Sequence, residues 1–212
     1  MDMQRKEILC FGDSNTYGLI PGTTERYGYG VRWTSLLEEA VREKGYYVSE
    51  EGLCGRTTIF DDPLRDGRRG TELLPTLLET HQPIEVVTVM LGTNDCKMIY
   101  DASAEIIGKG IERLLDQIGH VAPQAKVLLI APIALGDGVG EEGYDPEFNQ
   151  ESVEVSKRLP EVYRKIAAKR NLFFLAASDY ASPSERDREH LDEEGHKKLG
   201  TAIYQKLLTE VF

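Results

Sequence analysis

Five short, apolar, β-rich runs punctuate the chain, at residues 8–11, 46–48, 86–91, 127–130 and 172–175. Bounded by turn residues, each reads as a buried strand. Between them lie stretches with apolar side chains at helical spacing, such as Trp33, Leu36, Leu37, Ala40 and Val41, or Ile107, Ile111, Leu114, Leu115 and Ile118. These predict helices over 33–43, 71–80, 104–121, 151–170 and 193–208, each turning one apolar stripe inward. Strand–helix alternation of this kind argues for an α/β fold with a parallel sheet covered on both faces. Pro160 interrupts the fourth helical pattern and is expected to kink it or start a second piece.

Three connections are long, at 15–32, 52–70 and 135–150, and each leaves the carboxyl end of a predicted strand. Long ordered loops in compact domains tend to carry binding or lid functions. Loops that follow parallel strands gather on one rim of the sheet, where open α/β sheets bind their ligands. With 212 residues, one domain spanning 1–212 is the expectation.

The net charge of -11 opposes binding to nucleic acid and to anionic membrane surfaces. No apolar run is long enough to cross a bilayer, and residues 1–7 show no leader-type apolar segment. Three cysteines, Cys10, Cys54 and Cys96, suit a reducing compartment better than a disulfide scaffold, so the expected location is cytoplasmic. The reading of each is a small buried apolar residue.

Four segments on the expected rim carry polar chemistry: Gly12-Asp13-Ser14, then Cys54-Gly55-Arg56, then Gly92-Thr93-Asn94-Asp95, and Asp187-Arg188-Glu189-His190. Taken alone, each is an ordinary turn sequence. A serine hydroxyl becomes a nucleophile only when a base takes its proton and a third group orients that base. Of the four histidines, His81 and His120 stand at predicted helix ends, and His196 among Glu194, Lys197 and Lys198 suits a solvated helix face. Only His190 occupies a loop at the required edge, with Asp187 three residues earlier. Ser14, His190 and Asp187 are therefore the candidate catalytic residues. The Ser14 and Gly55 N–H groups and the Asn94 amide are candidate donors to an oxyanion. Asp13 is expected to fix the turn around Ser14, and Asp95 the loop around Asn94. Tyr17, Trp33 and the loop 136–149 are candidate pocket walls. Arg56 either meets a polar substrate group or forms a structural ion pair.

In order and spacing these segments resemble the four sequence blocks of the SGNH/GDSL hydrolase superfamily. The closer likeness is to its arylesterase and acyltransferase branch, resting on Cys10-Phe11-Gly12-Asp13-Ser14, Arg32-Trp33-Thr34, Glu50-Glu51-Gly52-Leu53, Arg56-Thr57-Thr58, Asp61-Asp62-Pro63, Leu73-Leu74-Pro75 and Met90-Leu91-Gly92-Thr93-Asn94-Asp95. The resemblance implies a three-layer sandwich with a five-stranded parallel sheet, the flavodoxin-like SGNH hydrolase fold. It also implies a serine esterase acting on small acetyl or aryl esters through an acyl-serine intermediate, with acyl transfer to alcohols and with no metal or other cofactor. Ser14, Asp187 and His190 would form the triad, and Ser14, Gly55 and Asn94 the oxyanion hole. The implied partner is a small-molecule ester, and members of that branch often self-associate as homo-oligomers. Two departures stand out: Glu50-Glu51-Gly52 replaces the Asn-x-Gly of many superfamily members, and Cys54 replaces a serine. The Glu pair matches the closer branch. A carbohydrate O-acetyl esterase or thioesterase is the alternative within the fold. A metal-dependent phosphoesterase or a non-catalytic binding module are the rivals outside it.

Overall fold

The computed structural model describes residues 6–212, so the sequence reading of residues 1–5 lies outside the described residues. Five parallel strands, β1 (Lys6–Gly12), β2 (Tyr46–Gly52), β3 (Ile84–Met90), β4 (Lys126–Ala131) and β5 (Phe173–Ala176), pair in the order β2-β1-β3-β4-β5. The helices are α1 (Ser14–Tyr17), α2 (Trp33–Val41), α3 (Gly70–Thr80), α4 (Ala104–Val121), α5 (Gln150–Arg170) and α6 (Glu193–Lys206).

The side-chain period of two splits each apolar strand between two cores. On β1, Leu9 and Phe11 join Val87, Val89 and Leu129 under α3, α4 and α5, whereas Ile8 and Cys10 join Val86, Met90 and Leu128 under α2 and α6. A strand buried on both sides has no polar face to spare, which is why these runs are apolar at consecutive positions. The chain leaves β1 for its neighbour β2 on one side and then crosses back to β3 on the other. That reversal opens a crevice at the carboxyl ends of β1 and β3, and Gly12 and Met90 stand paired at its floor.

Two sequence expectations fail here. The pattern around Pro160 predicts a kink or a second helical piece, and the second piece does not form, since α5 is a single helix through it; Leu159 and Tyr163 on either side are fully buried, so packing outweighs the local penalty of about 3 kcal/mol. His196, expected on a solvated face, is fully buried. It shares the inner stripe of α6 with Leu199 and Ile203, its Nδ1 accepts the Trp33 N–H at 3.3 Å, and the Tyr27 ring meets it edge-on. The neighbouring charges belong to the outer face of the same helix.

The long connection 15–32 is anchored by Arg32, whose guanidinium grips Glu50 of β2 through two bonds of 2.8 and 2.6 Å and donates to Tyr27 O at 2.7 Å. The Thr34 hydroxyl donates to the same carboxylate. At the end of β2, Gly52 lies against the backbone of α1, where a Cβ would collide with Tyr17 N and Cα. Gly52→Ala is expected to cost about 2 kcal/mol and lower the melting temperature by about 6 °C. Calorimetry showing an unchanged melting temperature would contradict this close approach.

Candidate active site

β1 stays apolar through Phe11, then the chain turns at Gly12-Asp13-Ser14 straight into α1. Asp13 caps this four-residue helix, accepting the Asn15 N–H at 3.0 Å, and Gly18 closes it in a left-handed conformation with φ 83°. Burial pushes the Asp13 carboxyl up to about 6. Ser14 is thus held at the sheet's carboxyl edge, buried apart from 3% of its surface.

The loop after β5 brings the partner groups. Ser184 N–H donates to His190 O and Arg188 N–H to Ser184 O, both at 2.7 Å, closing the segment on itself. Within it, Asp187 Oδ1 accepts the N–H groups of His190 and Glu189 at 2.9 and 3.1 Å. Asp187 Oδ2 lies 2.8 Å from His190 Nδ1 and accepts Gly22 N–H at 2.8 Å. On the far side of the ring, His190 Nε2 stands 2.8 Å from Ser14 Oγ. A hydroxyl, an imidazole and a carboxylate in this chain can pass a proton from oxygen to ring nitrogen while the charge that forms on the ring is held.

Sequence reasoning missed Asn15. Its Oδ1 accepts Leu191 N–H at 2.9 Å, its Nδ2 donates to Glu189 O at 3.3 Å, and its own carbonyl accepts Trp33 Nε1–H at 3.1 Å. One side chain therefore clamps the turn bearing Ser14 to the loop bearing His190. Its signal was hidden because an Asn after Gly-Asp-Ser reads as one more turn residue.

The candidate oxyanion donors are fixed by a second set of bonds. Arg56 N–H donates to Leu53 O at 3.0 Å, closing a turn in which Gly55 takes φ 82°, the conformation that favours glycine at this turn position. Asn94 Nδ2 donates to Arg56 O at 3.1 Å, leaving its second amide hydrogen free to serve another acceptor. Asp95 accepts Thr58 N–H at 3.0 Å and the Thr58 hydroxyl as well, tying the loop after β3 to the loop after β2. Burial pushes its carboxyl up to about 7.

Of the expected pocket residues, Tyr17 is half-buried with the Arg26 guanidinium over its ring. Trp33 and Arg56 are buried instead of lining a pocket. Trp33 packs in the core beneath α1. The Arg56 guanidinium stacks on Phe11 and donates to Gly12 O at 2.8 Å and to Glu51 O, so it braces the floor under Ser14. The loop 136–149 is tied to the His190 loop, with Gly136 N–H donating to Arg188 O at 2.8 Å and Arg188 Nη1 to Gly138 O at 2.9 Å. All three cysteines are free; Cys10 and Cys96 are buried and Cys54 is partly exposed beside Gly55. Among the described residues no group of three or more His, Cys, Asp or Glu is placed to hold a metal ion.

Charge gathers on His190. Burial alone would lower its affinity for a proton, but Glu189, whose Oε1 lies 3.6 Å from Nε2, acts with Asp187 and Asp13 to push the imidazole up to about 9. Burial likewise raises the Asp187 carboxyl, yet the His190 ring and the backbone donors hold it below the usual carboxylate range.

A family model described as the GDSL-like Lipase/Acylhydrolase family matches residues 10–198. Est24, a carbohydrate acetylesterase from Sinorhizobium meliloti, is 36% identical, with 96% of this chain and 99% of that chain covered at a TM-score of 0.88. The native aryl esterase of M. smegmatis is 32% identical, with 96% and 99% covered at a TM-score of 0.89. No curated protein matches the chain.

Because three carboxyl groups favour the imidazolium, the His190 ring is expected to titrate above the ordinary value of about 6.5. Glu189→Gln should move its midpoint down. Ring-proton NMR would check this, and a midpoint at or below about 6.5 that ignores the substitution would contradict it. His196, driven down to about 4 by burial and by Arg32, should stay neutral across the same titration.

Proposed function

The chain belongs to the GDSL-like lipase/acylhydrolase family, and on that footing we propose that it hydrolyses small acetyl and aryl esters through an acyl-serine intermediate on Ser14. The carrying observation is the unbroken line Asp187 Oδ2, His190 Nδ1, His190 Nε2, Ser14 Oγ, with 2.8 Å at each hydrogen bond. As the Ser14 oxygen attacks the ester carbonyl, His190 Nε2 takes its proton and Asp187 balances the imidazolium. The Ser14 and Gly55 N–H groups and the free amide hydrogen of Asn94 receive the oxyanion. His190 then protonates the departing alcohol. Water, or a second alcohol, repeats the attack on the acyl-serine and releases the acyl group.

The free imidazole is the base, so the rate falls as pH drops through the His190 titration. A second substrate reading, a carbohydrate O-acetyl ester, is favoured by the 36% identity to Est24 over nearly the whole chain. The alcohol side of the substrate separates the two readings, and a panel of aryl acetates and acetylated sugars distinguishes them. No helix among the described residues is long and apolar enough to cross a membrane. The three free thiols support a reducing compartment, and the cytoplasm is the one we assign.

Ser14→Ala is expected to lower kcat/KM for p-nitrophenyl acetate by about 10⁴-fold or more while leaving the unfolding midpoint in place. Asn94→Ala should lower kcat by about a hundred-fold with little change in KM. Steady-state kinetics beside urea unfolding checks both, and substantial activity in the folded Ser14 variant would sink the mechanism.

A further inference from the structure

The proposed reaction uses Asp187, His190 and Ser14, and leaves Glu189 without a task. Its position is costly for an idle group. The residue is 93% buried, with only 7% of its surface exposed. Among the described residues neither of its carboxylate oxygens receives a hydrogen bond, and its close ionic neighbour is His190, with Oε1 3.6 Å from Nε2. Its backbone is fully engaged, the N–H by Asp187 and the carbonyl by Asn15. The side chain is therefore held at the Nε2 edge, on the side of the ring that faces Ser14. The other charges acting on it are Asp145, Asp187 and Lys97, and burial holds its carboxyl up to about 7.

Once Ser14 is esterified, its oxygen no longer offers Nε2 a proton, and the incoming acyl acceptor takes that place. An oxygen roughly 2.8–3.0 Å from both Nε2 and Oε1 spans a 3.6 Å gap with two bent hydrogen bonds. Water has two O–H groups and can donate to both acceptors. A monohydric alcohol has one, so at this position either the imidazole or the carboxylate goes unsatisfied, and its alkyl group is pressed against a charge.

We propose that Glu189 selects the acyl acceptor, holding water beside His190 Nε2 and disfavouring simple alcohols. This rests on the acyl-Ser14 reading above. In the step concerned, the water oxygen bonds to the acyl carbon and one water proton passes to His190 Nε2. The bond from the acyl carbon to Ser14 Oγ breaks, and His190 returns the proton to Ser14. Glu189 orients the second O–H and neither gains nor loses a proton. The consequence is a preference for hydrolysis over alcoholysis, and among acceptors for those carrying a second donor, such as polyols.

The test is the ratio of butyl acetate to free acetate formed from p-nitrophenyl acetate in the presence of 1-butanol, at one mildly alkaline pH. Both products come from the same acyl-enzyme, so the ratio is independent of how much of a preparation is folded. Glu189→Leu, which removes the acceptor, is expected to raise it by about tenfold or more, the scale of one lost hydrogen bond to a charged group, and the isosteric Glu189→Gln, which keeps a neutral acceptor oxygen, by about threefold. A smaller rise or none in both variants overturns the proposal, and so does a variant whose acyl-enzyme transfers to neither water nor butanol. Failure of the wild-type protein to release p-nitrophenol in a Ser14-dependent manner is a separate result, and it overturns the esterase reading beneath.

Discussion

Ser14 and His190 are 176 positions apart in the chain, yet their functional atoms stand 2.8 Å apart. A hydrogen bond between two side chains cannot by itself hold two loops at that distance against the entropy of both. Asn15 removes that burden. Its side chain bonds the backbone on both sides of His190, at Glu189 O and Leu191 N, while its own carbonyl is fixed by Trp33. The serine and the histidine are thus positioned through backbone anchors, and their mutual bond is left free to exchange a proton. Trp33 is buried for the same reason: it carries the load from this clamp into the core under α2 and α6.

The rest of the rim follows the same plan, with side chains of one loop holding the backbone of the next. Asp95 grips Thr58, Asn94 grips Arg56 O, and Arg56 reaches Gly12 O beneath the serine. Gly52 lets α1 sit directly on the end of β2. These contacts keep the proposed oxyanion donors rigid relative to the proposed nucleophile, which is what electrostatic preorganisation requires. The acids around the site are placed with different consequences. Asp13 and Asp95 are buried supports for turns, Asp187 is stabilised as an anion, and Glu189 faces the reacting edge of the imidazole with its oxygens unbonded.

Much of this was legible in the sequence because of how burial writes itself into a parallel sheet. Consecutive apolar residues at β1, β3 and β4 mark strands covered twice, and the polar segments that follow β1, β2 and β3 fall at one edge once the strands are parallel. What was not legible depends on which faces meet. His196 stands among charges in the chain, and only the packing of α6 on α2 turns it inward. Arg56 and Trp33 suit a pocket wall by residue type, but one braces the floor and the other fills the core. Asn15 looks like a turn residue until the loop it clamps, more than 170 positions on, is folded against it. Glu189 lies in a run of charges, Glu185-Arg186-Asp187-Arg188-Glu189, that reads as solvated surface, whereas its own side chain points inward.

The central claim is that Ser14 is made nucleophilic by His190 and Asp187. Reaction with a fluorophosphonate, followed by peptide mass spectrometry, asks this without assuming any substrate. One equivalent of label on the peptide carrying Ser14, abolished by His190→Ala in a folded protein, is the result expected. Label on a different serine, or unchanged labelling of Ser14 when His190 is removed, would contradict it.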